Sequence, residues 1–243
     1  MRAIQYRVLF FAIFLAGGCA YASCNYSSRT GPVKTPLMLA IWQGDTEAVG
    51  KMLGTQANLD VKFPYCGGEA ALQTTPLLNA ILATGASRVG SGHMEMVEFL
   101  LQHGASPDFR ASGWAPLHMA ASLGDLAIVK LLLRYGASVD PVDGDQTPLL
   151  VAVEDGKTAV VRELIAAGAD IKVRDSLGNN LVAIAANQHH EEIVRLLVQL
   201  GIDPCAKDKS GNDAIYWASF SSNDDPRKHA VIAFLKGKCG IYD

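Results

Sequence analysis

The densest run of groups able to hold a metal or move a proton is His189-His190-Glu191-Glu192. Adjacent helical residues point in different directions, so the four cannot converge on one ion. Only His189 and Glu192 share a face, and the run reads as the solvated start of a helix. Asp140, Asp143 and Asp145 have a spacing superficially like a calcium loop. They lack its glycine and its terminal bidentate glutamate, and they fall at a turn, where aspartate is favoured for its own hydrogen bonds. His93, His103 and His229 stand at helix edges with no partner in view. No glycine-rich phosphate loop, zinc-binding histidine pair or serine nucleophile elbow occurs. The expectation is a non-catalytic chain that needs no metal and no cofactor.

Five cysteines remain as reactive side chains, and their chemistry depends on the compartment. Arg2 and Arg7 mark a short basic start, and Val8 to Ala16 form an uncharged apolar run, the pattern of a secretory signal. The run is too short to cross a ~30 Å hydrocarbon core, and small residues follow it instead of basic stop-transfer residues. Two processing sites compete. Ala20-Tyr21-Ala22 fits the A-x-A pattern, giving a signal peptide over 1–22 and a mature chain over 23–243. Leu15-Ala16-Gly17-Gly18-Cys19 is similar to a bacterial lipobox, giving a lipoprotein signal over 1–18 and a lipidated Cys19. Ala16 is a weak fit at its lipobox position, which favours the soluble form. Either route leaves Cys24, Cys66, Cys205 and Cys239, an even set that reads as two disulfides with three possible connectivities.

With 49% hydrophobic and 19% charged residues the chain has material for a real core. The formal net charge of -3 becomes about -5 once Arg2 and Arg7 are removed. An acid-rich surface with no basic stripe repels phosphate, which argues against nucleic acid as a partner.

Those few motifs must be positioned by a repeating frame. Thr/Ala-Pro-Leu recurs at Thr35-Pro36-Leu37, Thr75-Pro76-Leu77, Ala115-Pro116-Leu117 and Thr147-Pro148-Leu149. The steps from Ala115 to Thr147, Asn180 and Asp213 are 32, 33 and 33 residues. Each unit continues through a small pair, a glycine, a Val/Ile-centred apolar stretch and Gly-Ala, as in Ala120-Ala121, Gly124, Ile128-Val129, Leu131 to Leu133 and Gly136-Ala137. Threonine supplies an oxygen at a helix start, proline fits the first turn, and glycine permits the left-handed residue that ends a helix. Short helices with apolar faces cannot bury those faces alone, so the units must stack and share a core.

The phrase and its period strongly resemble the ankyrin-repeat family, from about Thr30 to the C-terminus. The resemblance implies an all-α solenoid of about six helix-turn-helix units joined by inter-repeat hairpin loops: Thr30 to Val61, about Glu69 to Phe109, Arg110 to Pro141, Val142 to Arg174, Asp175 to Lys207, and Asp208 to the end. Units five and six depart from the phrase, with Asn180-Leu181-Val182 and Asp213-Ala214-Ile215 where Thr-Pro-Leu is expected. Insertions fall at Lys62 to Gln73 and at Thr84 to Ser91, the second between the two helices of its unit. In the family, His118 bonds a neighbouring turn and is structural. Because each repeat touches only its neighbours, the expected disulfides are Cys24 to Cys66 at one end and Cys205 to Cys239 at the other.

Family members bind partners through hairpin tips and the exposed residues of each first helix. Carried over, those positions are Trp42, Gln43, Leu82, Trp114, Ser122, Leu123, Asp143, Asp145, Gln146, Glu154, Asp155, Asn179, Asn187, Gln188 and Phe220. Trp42, Trp114 and Phe220 are candidate aromatic anchors, or else pack against the N-terminal segment and the insertions. Asp143, Asp145, Glu154 and Asp155 together would suit a basic patch on one protein partner, or else form a merely solvated face. The expected function is a periplasmic, non-catalytic scaffold, monomeric when free and touching membrane only through its signal or a lipid anchor. Within that class stand an immunity or inhibitor protein that sequesters an enzyme or toxin, a stabilising adaptor for an enzyme such as one of oxidative-stress defence, and an envelope structural lipoprotein.

Overall fold

The computed structural model describes residues 36–54, 58–64, 73–86, 92–111, 113–141, 146–220 and 225–240. The signal-peptide and lipobox readings, Cys19, and the Cys24–Cys66 pairing lie outside them. Twelve helices are found among the described residues, in two compact units.

The unit Met1–Pro116 holds α1 (Pro36–Gln43), α2 (Thr46–Leu53), α3 (Pro76–Ala86) and α4 (Gly92–Gln102). The helices pack as two antiparallel pairs, α1 against α2 and α3 against α4, with α1 also on α3. Ile41, Ile81, Met96 and Leu100 are fully buried between them. Strands β1 (Phe63–Pro64) and β2 (Gln73–Thr74) pair antiparallel, closing the ends of the first insertion. This short ladder is the one departure from an all-helical chain among the described residues. The second insertion does not begin at Thr84, because α3 carries its helix on to Ala86.

The unit Leu117–Asp243 takes in α5 (Pro116–Leu123) from its second residue, α6 (Leu126–Arg134), α7 (Pro148–Glu154), α8 (Thr158–Ala166), α9 (Leu181–Asn187), α10 (Glu191–Gln199), α11 (Ala214–Phe220) and α12 (Pro226–Cys239). The inner helices α7, α9 and α11 stack in sequence order, as do the outer helices α6, α8, α10 and α12. Helix α9 is buried on every side from Leu181 to Ala186, because α7 and α11 flank it and α10 backs it. Ile128, Leu132, Leu149, Leu164 and Ile193 fill the seam between inner and outer helices.

The degenerate units keep the chemistry of the phrase without its letters. Thr147 Oγ1 accepts from Leu150 N at 3.2 Å, Asn180 Oδ1 from Ala183 N at 2.9 Å, and Asp213 Oδ1 from Tyr216 N at 3.0 Å. In each case a side-chain oxygen satisfies one of the free N–H groups of the first turn. Asn180 does more, donating from Nδ2 to the Asp203 carbonyl at 2.8 Å and so pinning its repeat to the next turn.

Histidines bond backbone carbonyls, most of them across repeats. His118 bonds the Gln146 carbonyl oxygen through Nε2 at 3.2 Å, the structural role the sequence implied. His93 and His103, expected to have no partner, bond the carbonyls of Trp42 at 2.9 Å and Phe99 at 2.8 Å. The reading of His189 and His190 as a solvated helix start is also corrected. His189 Nε2 reaches forward to the Ala218 carbonyl at 3.0 Å, and His190 Nε2 reaches back to the Glu154 carbonyl at 3.1 Å. One dipeptide thus clasps both neighbouring repeats. His189 holds φ 56°, where the equivalent turns have Gly44, Gly124 and Gly156 at 72°, 76° and 70°. A left-handed residue with a Cβ costs about 1–2 kcal/mol, which the buried bond to Ala218 offsets. The His190 ring lies flat on Gly156, where an added Cβ would stand 2.5 Å from Cε1.

The C-terminal end is stapled. Cys205, in the segment after α10, is disulfide-bonded to Cys239, the last residue of α12, as the locality of repeats implied. Arg195 on α10 stacks over the Phe234 ring of α12 at 4.3 Å, with Lys238 over the same ring at 5.7 Å. At 34 residues of separation the bond closes a loop whose cross-linking restrains the unfolded chain by about 2–4 kcal/mol. Reduction, or Cys205→Ser with Cys239→Ser, is expected to lower the melting temperature of the full chain and to speed hydrogen exchange in α12 before α9. Simultaneous loss of protection in both helices would contradict a local staple.

A second expectation concerns pH. Burial, helped by the Arg227 guanidinium, Lys157 and His189, holds the His190 imidazole below its ordinary value of 6.5, against the pull of Asp155. The folded chain therefore favours the neutral ring, and the stability this gives is present above 6.5 and drains away as pH falls below it. Thermal melts from about pH 7.5 to about pH 5.5 should show a falling midpoint, and a flatter one in His190→Gln, whose amide still donates to Glu154. An identical slope in the variant would remove His190 from the account.

Candidate protein-binding surface

The four middle inner helices share one burial pattern. Pro76 to Ile81, Pro116 to Ala121, Pro148 to Val153 and Leu181 to Ala186 are buried at every position, and each helix opens at its seventh residue. Those seventh residues are Leu82, Ser122, Glu154 and Asn187, all half-buried, and the end helices place Trp42 and Phe220 in the same register. In α9 the cause is stacking: its first six residues lie among α7, α11 and α10, and the next one stands where the chain turns toward the outer helix.

The next position holds Gln43 and Gln188, both exposed, and Leu123 and Asp155, both half-buried. Ser122 and Asp155, neighbours in this row, are already engaged with each other, Ser122 Oγ donating to Asp155 Oδ2 at 2.6 Å. Asp155 thereby gives one oxygen to the repeat seam; Glu154, the other acid of α7 in this region, is half-buried, and its carbonyl serves His190. Asp143 and Asp145, the other acids of that unit, lie outside the described residues.

The tips differ from expectation. Asn179 is not a surface contact residue: it is 6% exposed, with its backbone N–H on Asp175 Oδ1 at 2.8 Å and its Nδ2 on Asp175 Oδ2 at 3.0 Å. The tip of the last repeat is built alike, with Asn212 N on Asp208 Oδ1 at 2.8 Å. An Asp four residues before an Asn, with a left-handed glycine between them, closes the turn with its own side chains and spends the asparagine on structure. Gln146 is half-buried, and its carbonyl serves His118. Trp114 does not project freely either; its backbone pairs with Ala111 across a turn and its ring is half-buried. Trp42 is half-buried as well, which leaves Phe220, 67% exposed, as the fully presented member of the expected aromatic set.

Two aromatics beside it escaped the sequence reading. Tyr216, 45% exposed, and Trp217 complete a cluster with Phe220 whose ring centroids lie 5.6 to 6.1 Å apart. Trp217 Nε1 donates to Asp208 Oδ2 at 3.0 Å. Burial pushes the Asp208 carboxyl up, but the N–H groups of Asn212 and Ser210 and the Trp217 indole together hold it below the usual range. The signal that could have found the cluster was Tyr-Trp-x-x-Phe standing where α9 has Ala183, Ile184 and Asn187.

Among the described residues no group of three or more His, Cys, Asp or Glu side chains could hold a metal ion, and no helix is long and apolar enough to cross a membrane. The open register of the inner helices carries aromatic, aliphatic, amide and carboxylate side chains. No curated protein matches the chain. The family model for ankyrin repeats matches it three times, over residues 37–143, 86–175 and 149–238. Together with the stacked helix pairs and the capped Pro-Leu turns, these matches place the chain in the ankyrin-repeat family, a fold whose repeats indicate a protein–protein interaction scaffold.

Proposed function

We propose that the chain is an exported, non-catalytic scaffold that captures one partner enzyme or toxin on its inner-helix row and holds it inactive, as an immunity or inhibitor protein does. The observation that carries this reading is the row itself. Four positions in the same register of the unit Leu117–Asp243, Ser122, Glu154, Asn187 and Phe220, escape full burial and carry four different side chains. A frame that fixes its backbone by stacking and leaves one register open presents a preorganised contact surface, which lowers the entropic cost of binding. The basic-apolar-small pattern of residues 1–22 and the Cys205–Cys239 bond support an oxidising, exported setting such as the bacterial periplasm.

The test is affinity capture of the mature chain from its own envelope fraction, followed by assay of the captured enzyme with and without the chain. One stoichiometric partner whose activity is lost in the complex is the expected result. Retained or raised activity would overturn inhibition in favour of a stabilising adaptor. Glu154→Lys and Asn187→Ala should each weaken the complex by about tenfold or more, as loss of an interface anchor does. Undiminished binding by both variants would show that the row is not the docking face.

A further inference from the structure

Two local costs fall on the dipeptide His189-His190. Among the described residues, His189 is the one non-glycine residue with a left-handed backbone, at φ 56°. At the next position of the turn Asp45 and Asp125 cap α2 and α6 with a carboxylate, whereas His190 gives α10 no side-chain cap. Backbone strain and a forgone cap on adjacent residues mark a place where local rules yield to another role.

That role lies beneath the binding row. A carbonyl oxygen only accepts, so both imidazoles donate from Nε2, and a further proton on either ring goes to Nδ1. His189 donates to the carbonyl of Ala218, two residues before Phe220, and His190 to the carbonyl of Glu154, itself a row residue. The chain enters this turn directly from Asn187 and Gln188. One turn thus ties together the helices that carry Glu154, Asn187 and Phe220. Nδ1 of His190 lies against Gly156, 2.8 Å from where a Cβ would stand there.

The charged groups facing His190 come from several elements. Burial, then the Arg227 guanidinium in the first turn of α12, the neighbouring His189, and Lys157 before α8 all oppose a charge on the ring; Asp155, after α7, draws one. The acids of its own helix are paired, Glu191 with Arg195 at 2.7 Å and Glu192 with Arg162 at 3.3 Å, and Asp225 is paired with Arg227 at 2.6 Å. Asp155 is also the acceptor of Ser122 Oγ, at 2.6 Å. The neutral ring and the charged ring therefore have different best partners on adjacent residues, the Glu154 carbonyl and the Asp155 carboxylate.

We propose that His190 is an acid-operated switch beneath the row. Neutral, it holds the Glu154 carbonyl and fixes the row; protonated on Nδ1, it turns to Asp155, which lets go of Ser122, and the partner is released. This switch rests on the protein-binding reading and adds the condition under which binding ends.

Nitrogen-15 NMR of the full mature chain, titrated from about pH 8 to about pH 5, follows the ring and the row with no partner present. His190 should be the Nε2–H tautomer at the neutral end, and the amides of Ser122, Glu154 and Asp155 should move together with its ring on acidification, while those of Leu149 and Leu164 in the seam hold still. In His190→Gln, which still donates to Glu154 and does not titrate, the three row amides should stay in place. Row amides that ignore the ring, that move equally in His190→Gln, or that move only with the seam would each overturn the switch. With the captured envelope protein as probe, the dissociation constant should rise as pH falls, toward about tenfold per pH unit for one proton taken up on release, and much less in His190→Gln. Equal slopes in the two chains overturn the switch and leave the protein-binding reading standing. Failure to capture any protein at neutral pH overturns that reading, while the spectra still decide the switch.

Discussion

A helix that is apolar all round cannot exist in water by itself, and this chain is built from such helices. Leu181 to Ala186 and Pro148 to Val153 bury every residue, so each inner helix needs a neighbour on both sides and an outer helix behind it. Isolated helices of seven or eight residues are unstable in water, and their stability here comes from being packed. Nearly everything else in the structure serves that stacking or follows from it. Hydroxyl, amide and carboxylate caps start the helices in register, left-handed residues return the chain, and imidazoles cross the seams to backbone carbonyls that would otherwise be buried without donors.

The same constraint sorts polar residues into two populations. Those at the seams are tied into the frame: His118, His189, Asn180 and Asn179 each have a backbone or turn partner. Those one step beyond the buried stretch belong to the surface. Ser122 and Asp155 sit on the border, bonded to each other across adjacent repeats, so that even the candidate binding row is partly tied into the frame. Contact surfaces of this kind gain rigidity from the stack rather than from their own interactions, which suits selective binding.

Ends are where a stacked array is weakest, since one face of the terminal helix loses its neighbour. Covalent and cation–π ties, Cys205 to Cys239 and Arg195 over Phe234, join α12 to α10 and to the segment after it.

Period and capping chemistry were legible in the amino acids, because stacking imposes both on every unit. Thr-Pro-Leu at intervals of 32 to 33 residues, the glycine after each small pair, and the even cysteine set led to the fold, the units and the C-terminal disulfide. The register that escapes burial was legible as well: Trp42, Leu82, Ser122, Glu154, Asn187 and Phe220 all fall at the seventh residue of their helices. Which way a polar side chain faces was not. Asn179 reads as a tip residue until Asp175 is seen to close the turn over it, and His189-His190 reads as a polar helix start until both neighbouring repeats supply carbonyls at hydrogen-bond distance. Those partners lie 29 and 36 residues away in the chain, and no local pattern records them. Tyr216 and Phe220 carry the same lesson in reverse. Their apolar character predicts burial, yet they are 45% and 67% exposed.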